Sequence, residues 1–315
     1  MNEIERYREE LARIFAEAEK DIAAFPDGPR DRALRLLERS DPLRNGGRAN
    51  AISYLLPYWA RERTNGPLEL CRDLAIGNIH AMLRFFLLDD AMDGAAANPE
   101  SLRESLALVP LLEERFLERY RRHFPGDSML WSRYRVYLEE WASAVYAEGR
   151  DGPMDPRDGG ALARKAAPAK IGVSGMLIRA GQAERLPAAE EAVELALAVL
   201  QLSDDRADWR EDLPVANGSG NAFLTLVRER LPSWPVDESE VRRAMYNHGV
   251  LDRLADIAGG YVERLERNSD APDRLVRFAQ DIVRSMRGEA EAAAASKRRL
   301  ALEGGFAYFL SKMKE

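Results

Sequence analysis

Apolar residues recur three and four positions apart along almost the whole chain, the spacing that lines them up on one face of an α-helix. Breaks in that rhythm fall on Gly, Pro, Asn and Asp clusters at Phe25 to Arg30, Asp41 to Gly47, Asn65 to Pro67, Gly94 to Pro99, Pro125 to Asp127, Gly149 to Gly160, Pro214 to Asn221 and Leu231 to Asp237. They mark off about ten helices. Met1 to Lys20 reads as a charged amphipathic helix. One long helix is expected from about Leu68 to Met92, closed by Gly94, and another from about Ala188 to Leu213, stopped by Pro214. Runs of Val, Ile and Thr that would signal strands are nearly absent, and there is neither a short repeat nor a linker long enough to separate a pair of domains. The expectation is an all-α protein with one helical domain over residues 1–315, residues 1–45 forming peripheral N-terminal helices.

Composition narrows the function classes. The chain is 46 % apolar with a net charge of −7. Its acidic and basic residues are interspersed, which argues against a nucleic-acid binder and a polybasic membrane anchor. The single cysteine, Cys71, excludes an internal disulfide, no Cys/His group has zinc spacing, and a reducing compartment fits. The N-terminus lacks an apolar core of signal-peptide length, and no stretch approaches eighteen uninterrupted apolar residues, so no membrane insertion and a cytoplasmic location are expected.

Two acidic clusters change the picture. Asp89, Asp90 and Asp93 close the first long helix, and Asp204, Asp205, Asp208 and Asp212 close the second. Helical spacing stacks Asp89 with Asp93, and Asp204 with Asp208 and Asp212. Like charges at that spacing repel, and both clusters sit at helix C-termini, where the macrodipole is already negative. A compensating cation answers both penalties. Oxygen ligands suit Mg²⁺, which takes one or two carboxylates and completes its octahedron with water and substrate phosphate oxygens.

The two Asp-Asp-x-x-Asp motifs, the second preceded by Gln201 in Leu200-Gln201-Leu202-Ser203-Asp204-Asp205-Arg206-Ala207-Asp208, resemble the class I isoprenoid synthase superfamily. The second motif departs from the Phe-Gln-x-x-Asp-Asp-x-x-Asp of trans-prenyl diphosphate synthases only at its first position. Its continuation to Asp212 is similar to squalene and phytoene synthases, whose acids stand at successive helical turns. The resemblance runs from about Arg48 to Arg287. It implies a single-domain helical bundle around a deep apolar cavity, both clusters at its mouth, and three Mg²⁺ ions bridging them to the diphosphate of a prenyl substrate. Metals and basic groups would neutralise the leaving diphosphate, and aromatic faces would shelter the carbocation. The resembled enzymes commonly form homodimers.

By the same resemblance, Asp89, Asp93, Asp204 and Asp208 are the catalytic acids, and Phe85, Phe86 and Met82, on the turns before the first motif, would meet the substrate, their bulk limiting product length and implying a short cavity. Gln201, Arg48, Lys165, Lys170 and Arg179 would meet substrate or diphosphate, the last three on or beside a Gly-interrupted segment, Lys170 to Gly175, where the superfamily breaks a helix. Tyr54, Tyr58, Trp59, Tyr137 and Trp141 are cavity-lining or packing residues. Ordinary core for Phe85 and Met82, and solvated charge for the three cations, are the competing readings. Pro214 to Gly220 has the composition of a loop that closes over diphosphate or merely connects.

Departures sort the branches. Asn45-Gly46-Gly47-Arg48-Ala49-Asn50 lacks the later Arg-Pro of the element that binds a second diphosphate in chain-elongating synthases, and no cation follows Asp93 until Arg103. A terpene synthase working on one allylic prenyl diphosphate is therefore expected. Prenyl transfer, by elongation or head-to-head condensation, is the alternative, and a prenyl-diphosphate-binding protein without turnover is the non-enzymatic one. A di-iron bundle would require Glu-x-x-His pairs, and none of His80, His123 or His248 has a Glu three residues before it.

Overall fold

The computed structural model describes residues 3–46, 50–94, 99–148, 150 and 152–303. It is all-helical: 81 % helix, with sixteen α-helices and no strand among the described residues. In chain order they are α1 (Glu3–Arg6), α2 (Arg8–Ala23), α3 (Asp27–Ser40), α4 (Pro42–Asn45), α5 (Ala51–Thr64), α6 (Leu68–Gly94), α7 (Pro99–Arg121), α8 (Met129–Ala147), α9 (Gly159–Arg164), α10 (Ile171–Arg179), α11 (Leu186–Ala207), α12 (Trp209–Asp212), α13 (Ala222–Arg228), α14 (Glu238–Asn247), α15 (Val250–Arg267) and α16 (Asp273–Glu303). None is long and apolar enough to cross a membrane. Two compact units divide the chain, one of residues 1–137 and 168–190, the other of 138–167 and 191–315.

In the first unit α6 is the central element, packed against α2, α5, α7 and α10. Its buried positions, Leu70, Cys71, Leu74, Ala75, Ile76, Ile79, Met82, Leu83 and Leu87, lie on every side of the helix, the pattern of a helix enclosed by others. α2 instead buries one stripe, Leu11, Ile14, Phe15, Ala18 and Ile22. Tyr54 and Tyr58 of α5 turn to it: Phe15 meets the Tyr54 ring edge-on with centroids 5.3 Å apart, and the Tyr58 hydroxyl donates to Glu10 at 3.2 Å. These aromatics are packing residues, as is the fully buried Trp59. Cys71 is enclosed too, its thiol 3.6 Å from the Pro57 carbonyl and 3.9 Å from the Met176 sulfur, and burial pushes it up to about 12.

Charge ties the same helices together. Arg119 of α7 donates to Asp21 of α2 at 2.6 and 2.9 Å and to Asp73 of α6 at 3.2 Å. His80 lies 3.0 Å from Asp21, and His123 lies 2.8 Å from Asp73. Burial works to raise the Asp21 carboxyl, but His80 and Arg119 outweigh it and hold it at about 2. His80 is itself fully buried and lowered by desolvation, so its ring is neutral near pH 7. His80 and His123 are thus core partners of carboxylates, and His248 is exposed at the end of α14.

Two expected features take another form. The helical path is interrupted ahead of the glycines rather than at them: a 3₁₀ turn, Ala167–Lys170, follows α9 and leads into Ile171 to Arg179, which is continuous, and its glycines admit neighbours. A Cβ on Gly172 would lie 3.0 Å from Asn78 Nδ2, and one on Gly175 would lie 3.1 Å from Leu74, so these positions are small because α10 presses against α5 and α6. Conversely, the helix expected to run unbroken to Leu213 ends at Ala207, and Asp208, at φ −97° and ψ 7°, opens the separate four-residue α12.

The second unit buries the helical stripe Leu251, Leu254, Ala255, Ala258, Val262 and Leu265 of α15 against α16, which contributes Leu275, Ala279, Val283 and Met286. Gly249, left-handed at φ 63°, turns the chain from α14 into α15. The C-terminal part of α11 belongs to this unit and is buried through Ala192, Val193, Ala196, Val199 and Leu202. That burial delivers the second acidic cluster to the α11 terminus.

Candidate functional site

In the first unit the acids occupy the last turns of α6. Leu87 and Ala91 bury one side, which leaves Asp89 and Asp90 exposed, with Met92 48 % exposed beside them. Asp93 lies in the final turn, but its side chain is outside the described residues, as is all of Arg48. Met82 is buried, while Phe85 and Phe86 are half-buried. The Arg84 guanidinium stacks 4.5 Å over the Phe85 ring and donates to Glu113 at 2.9 Å.

Lys170 and Arg179 stand at opposite ends of α10, about 13 Å apart along the axis at 1.5 Å per residue. Lys170 is buried, its ammonium 4.7 Å over the Tyr137 ring, whereas Arg179 is exposed. The Tyr137 hydroxyl lies 2.7 Å from Ser174 Oγ and donates to Glu190, which also accepts from Arg133 at 3.0 Å. Lys170 therefore tops a buried polar cluster whose other members, Ser174, Glu190 and Arg133, carried no sequence motif.

The second unit gathers Gln201, Asp204, Asp205, Asp208, Asp212 and Lys165, and their environments separate them. Asp205 is only 4 % exposed, and both its oxygens are used. Gln201 Nε2 donates to Oδ1 at 2.7 Å, an i,i+4 pair on α11, and the Ala222 N–H donates to Oδ2 at 2.7 Å. Burial still raises this carboxyl to about 6 against those two bonds. Asp204, half-buried, is pushed up to about 7, chiefly by burial and then by Asp208 and Asp205. Asp208 is raised by partial burial and by Asp212 and Glu211. Among the described residues no cationic side chain pairs with Asp204 or Asp208. Lys165 instead donates to Glu148 and lowers Asp205 through space.

Asn221, a residue without any motif, joins the ends of the cluster. Its Nδ2 donates to the Asp205 carbonyl and to Asp212 Oδ2, both at 2.7 Å, while its Oδ1 accepts the Leu224 N–H at 2.8 Å as the N-cap of α13. The signal was present in Gly220-Asn221-Ala222, an Asn before an apolar helical run. The connector ahead of it is anchored as well: the Met154 N–H donates to the Ser219 carbonyl at 2.8 Å.

The cluster thus divides into a structural acid, Asp205, and a ladder of Asp204, Asp208 and Asp212, of which the first two have no cationic partner among the described residues. Oxygen donors of that kind fit a hard divalent cation. No three His, Cys, Asp or Glu side chains among the described residues form a ready cation cage. A Mg²⁺ ion that shares its shell with water and phosphate needs only one or two carboxylates. No family model, curated protein or solved structure matches the chain.

Proposed function

We propose that the protein is a Mg²⁺-dependent class I isoprenoid synthase that ionises an allylic prenyl diphosphate, releases diphosphate and converts the carbocation to a terpene hydrocarbon or alcohol. One observation supports this reading: Asp204, Asp208 and Asp212 present carboxylates at successive turns, the first two without a cationic partner among the described residues, and burial and mutual repulsion hold Asp204 near a pKa of 7. A cation bound there would displace that proton and relieve the repulsion. The ion, when bound, supplies electrostatic neutralisation of the leaving diphosphate. Asp89 and Asp90, exposed at the end of α6, are the acids assigned to the companion motif, with Asp93. Phe85, Phe86 and Met82 meet the substrate and limit product length, and Lys165, Lys170, Arg179, Gln201 and Arg48 are candidate diphosphate or substrate contacts. In this reading the bundle encloses the prenyl chain in a deep apolar cavity, the protein works in the cytoplasm, and a homodimer is its expected assembly.

Head-to-head condensation is the second reading. It is favoured by the commitment of Asp205 to the Ala222 N–H, which leaves the three-turn acid ladder of the squalene and phytoene synthase pattern in place of the second prenyl synthase motif.

The test incubates the protein and Mg²⁺ with geranyl, farnesyl or geranylgeranyl diphosphate, with and without isopentenyl diphosphate, and reads products by mass spectrometry. A terpene of unchanged carbon number supports the terpene synthase, and a doubled carbon number supports condensation. Asp89→Ala and Asp204→Ala should each abolish diphosphate release in a folded protein. Full turnover in both variants, or no release from any substrate, refutes the enzymatic reading.

A further inference from the structure

A groove of about 620 Å³ runs along the second unit between α15 and α16. Two contacts fix the register of this antiparallel pair. Gln280 Nε2 donates to Glu266 at 2.7 Å, and the Arg287 guanidinium covers Gly259, where a Cβ would stand 2.9 Å from Nη2. Val262 and Val283 are buried at the groove floor. Its walls carry opposite charge, all of it exposed: Glu263 and Glu266 on α15, Arg284 and Arg287 on α16, with Glu291 a turn beyond them. Glu263 accepts from Arg267 at 3.5 Å and Arg284 donates to Asp281 at 2.6 Å, pairs of exposed groups on one helix that contribute little. Arg287 has no carboxylate partner among the described residues.

Two rows of opposite sign complement themselves. Rotation about a two-fold axis parallel to the helices keeps every residue at its own level and lays the α16 wall of one copy against the α15 wall of the other. With 266 opposite 280 and 259 opposite 287, Glu263 is level with Val283, so the partner subunit's Arg284 arrives beside Glu263 and the partner subunit's Arg287 one turn along. A segment of single charge sign would pair with one wall and oppose the other. We propose that this groove is an isologous interface with a second copy of the chain: α16 of each subunit lies in the α15–α16 groove of the other, and Glu263 pairs with the partner subunit's Arg284 twice per dimer. The interface gives the expected homodimer its location and does not depend on what the acidic ladder binds.

The experiment measures mass by sedimentation velocity over a range of protein concentrations. It compares the full-length protein, Glu263→Arg, Arg284→Glu and an equimolar mixture of the two variants, each checked for folding by circular dichroism. The unmodified protein should dimerise. Each variant alone opposes like charges at both pairs and should raise the dissociation constant about 10- to 100-fold. The mixture should recover the dimer, because both pairs again join opposite charges. A monomeric unmodified protein, a dimer that neither variant weakens, or a mixture no more associated than its components overturns the proposal. If either variant fails to fold, Glu263→Gln and Arg284→Gln decide: each removes both pairs without repulsion and should still weaken the dimer, and an unchanged dissociation constant in both overturns the proposal. None of these outcomes bears on prenyl diphosphate turnover, which the product assay tests separately.

Discussion

Replacing Arg119 by Met tests the charge network of the first unit. The guanidinium holds Asp21 through Nε and Nη2 and reaches Asp73 through Nη1. Asp73 would keep Arg122 at 3.1 Å and His123 at 2.8 Å, but Asp21 would keep only the neutral ring of His80. Removing one partner of a buried pair costs about 3–5 kcal/mol. Because the Asp21 side chain is 18 % exposed and Asp73 stays paired, about 3 kcal/mol is expected at pH 7. The wild-type slope with pH has a definite sign. Asp21 is depressed in the fold, so its contribution is present above the unfolded value and lost as pH falls through about 2. His80 is lowered as well, so stability also falls as pH drops through the ordinary histidine value, where the unfolded ring takes up a proton that the buried ring does not. In Arg119→Met the burial that raises Asp21 is opposed by His80 alone, so Asp21 is less depressed and its contribution to the loss of stability on acidification should be smaller than in the wild type. Urea unfolding by circular dichroism, with hydrogen exchange of the α2 peptide as the local readout, checks both. A loss under about 0.5 kcal/mol, the range of an ordinary surface substitution, would refute the reasoning. So would an Asp21→Asn/Arg119→Met double variant no more stable than Arg119→Met.

Gly77→Ala places a Cβ 2.9 Å from two ring carbons of Tyr120, which is fully buried and pinned by its 2.6 Å bond to Asn78. Overpacking should outweigh the gain in helix propensity and lower the urea midpoint by about 1–2 kcal/mol in free energy. Asp205→Ala leaves the Ala222 N–H and the Gln201 amide unanswered and should destabilise by about 1–3 kcal/mol, seen as faster hydrogen exchange in α13. In EDTA, the contribution of Asp204 to stability should rise as pH falls from 8 to 5, opposite in sign to that of His80, because Asp204 binds a proton at about 7 in the fold and near its ordinary value when unfolded. Asp204→Asn should flatten that dependence, measured as the urea midpoint against pH.

Helical class and the boundaries marked by the Gly, Pro, Asn and Asp clusters were legible because they follow from local rules, although the chain forms sixteen α-helices where about ten were expected. The apolar period placed α6 to within two residues of Leu68–Gly94, and Gly94, Pro125 and Pro232 fall at or beyond helix ends. What escaped is non-local. Gly172 and Gly175 have the composition of a break, yet they serve a close approach to Asn78, Leu74 and Phe124, distant in sequence. The break at Asp208 has no Gly or Pro to announce it. Asp205 and Asp204 are adjacent and identical in type, and only the fold assigns one to the Ala222 N–H and leaves the other to repel its neighbours. The pairing of Asn221 with Asp212 likewise depends on the chain returning at α13.

The seclusion of Cys71 has a practical consequence. As the sole thiol of the chain, enclosed beneath Pro57 and Met176 and raised to about 12, it reacts with a disulfide reagent only when the core of the first unit opens. Its labelling rate therefore serves as an intrinsic clock for that opening, and a second cysteine introduced at an exposed position such as Asp90 would accept a spectroscopic probe in the folded state without competition from the native one.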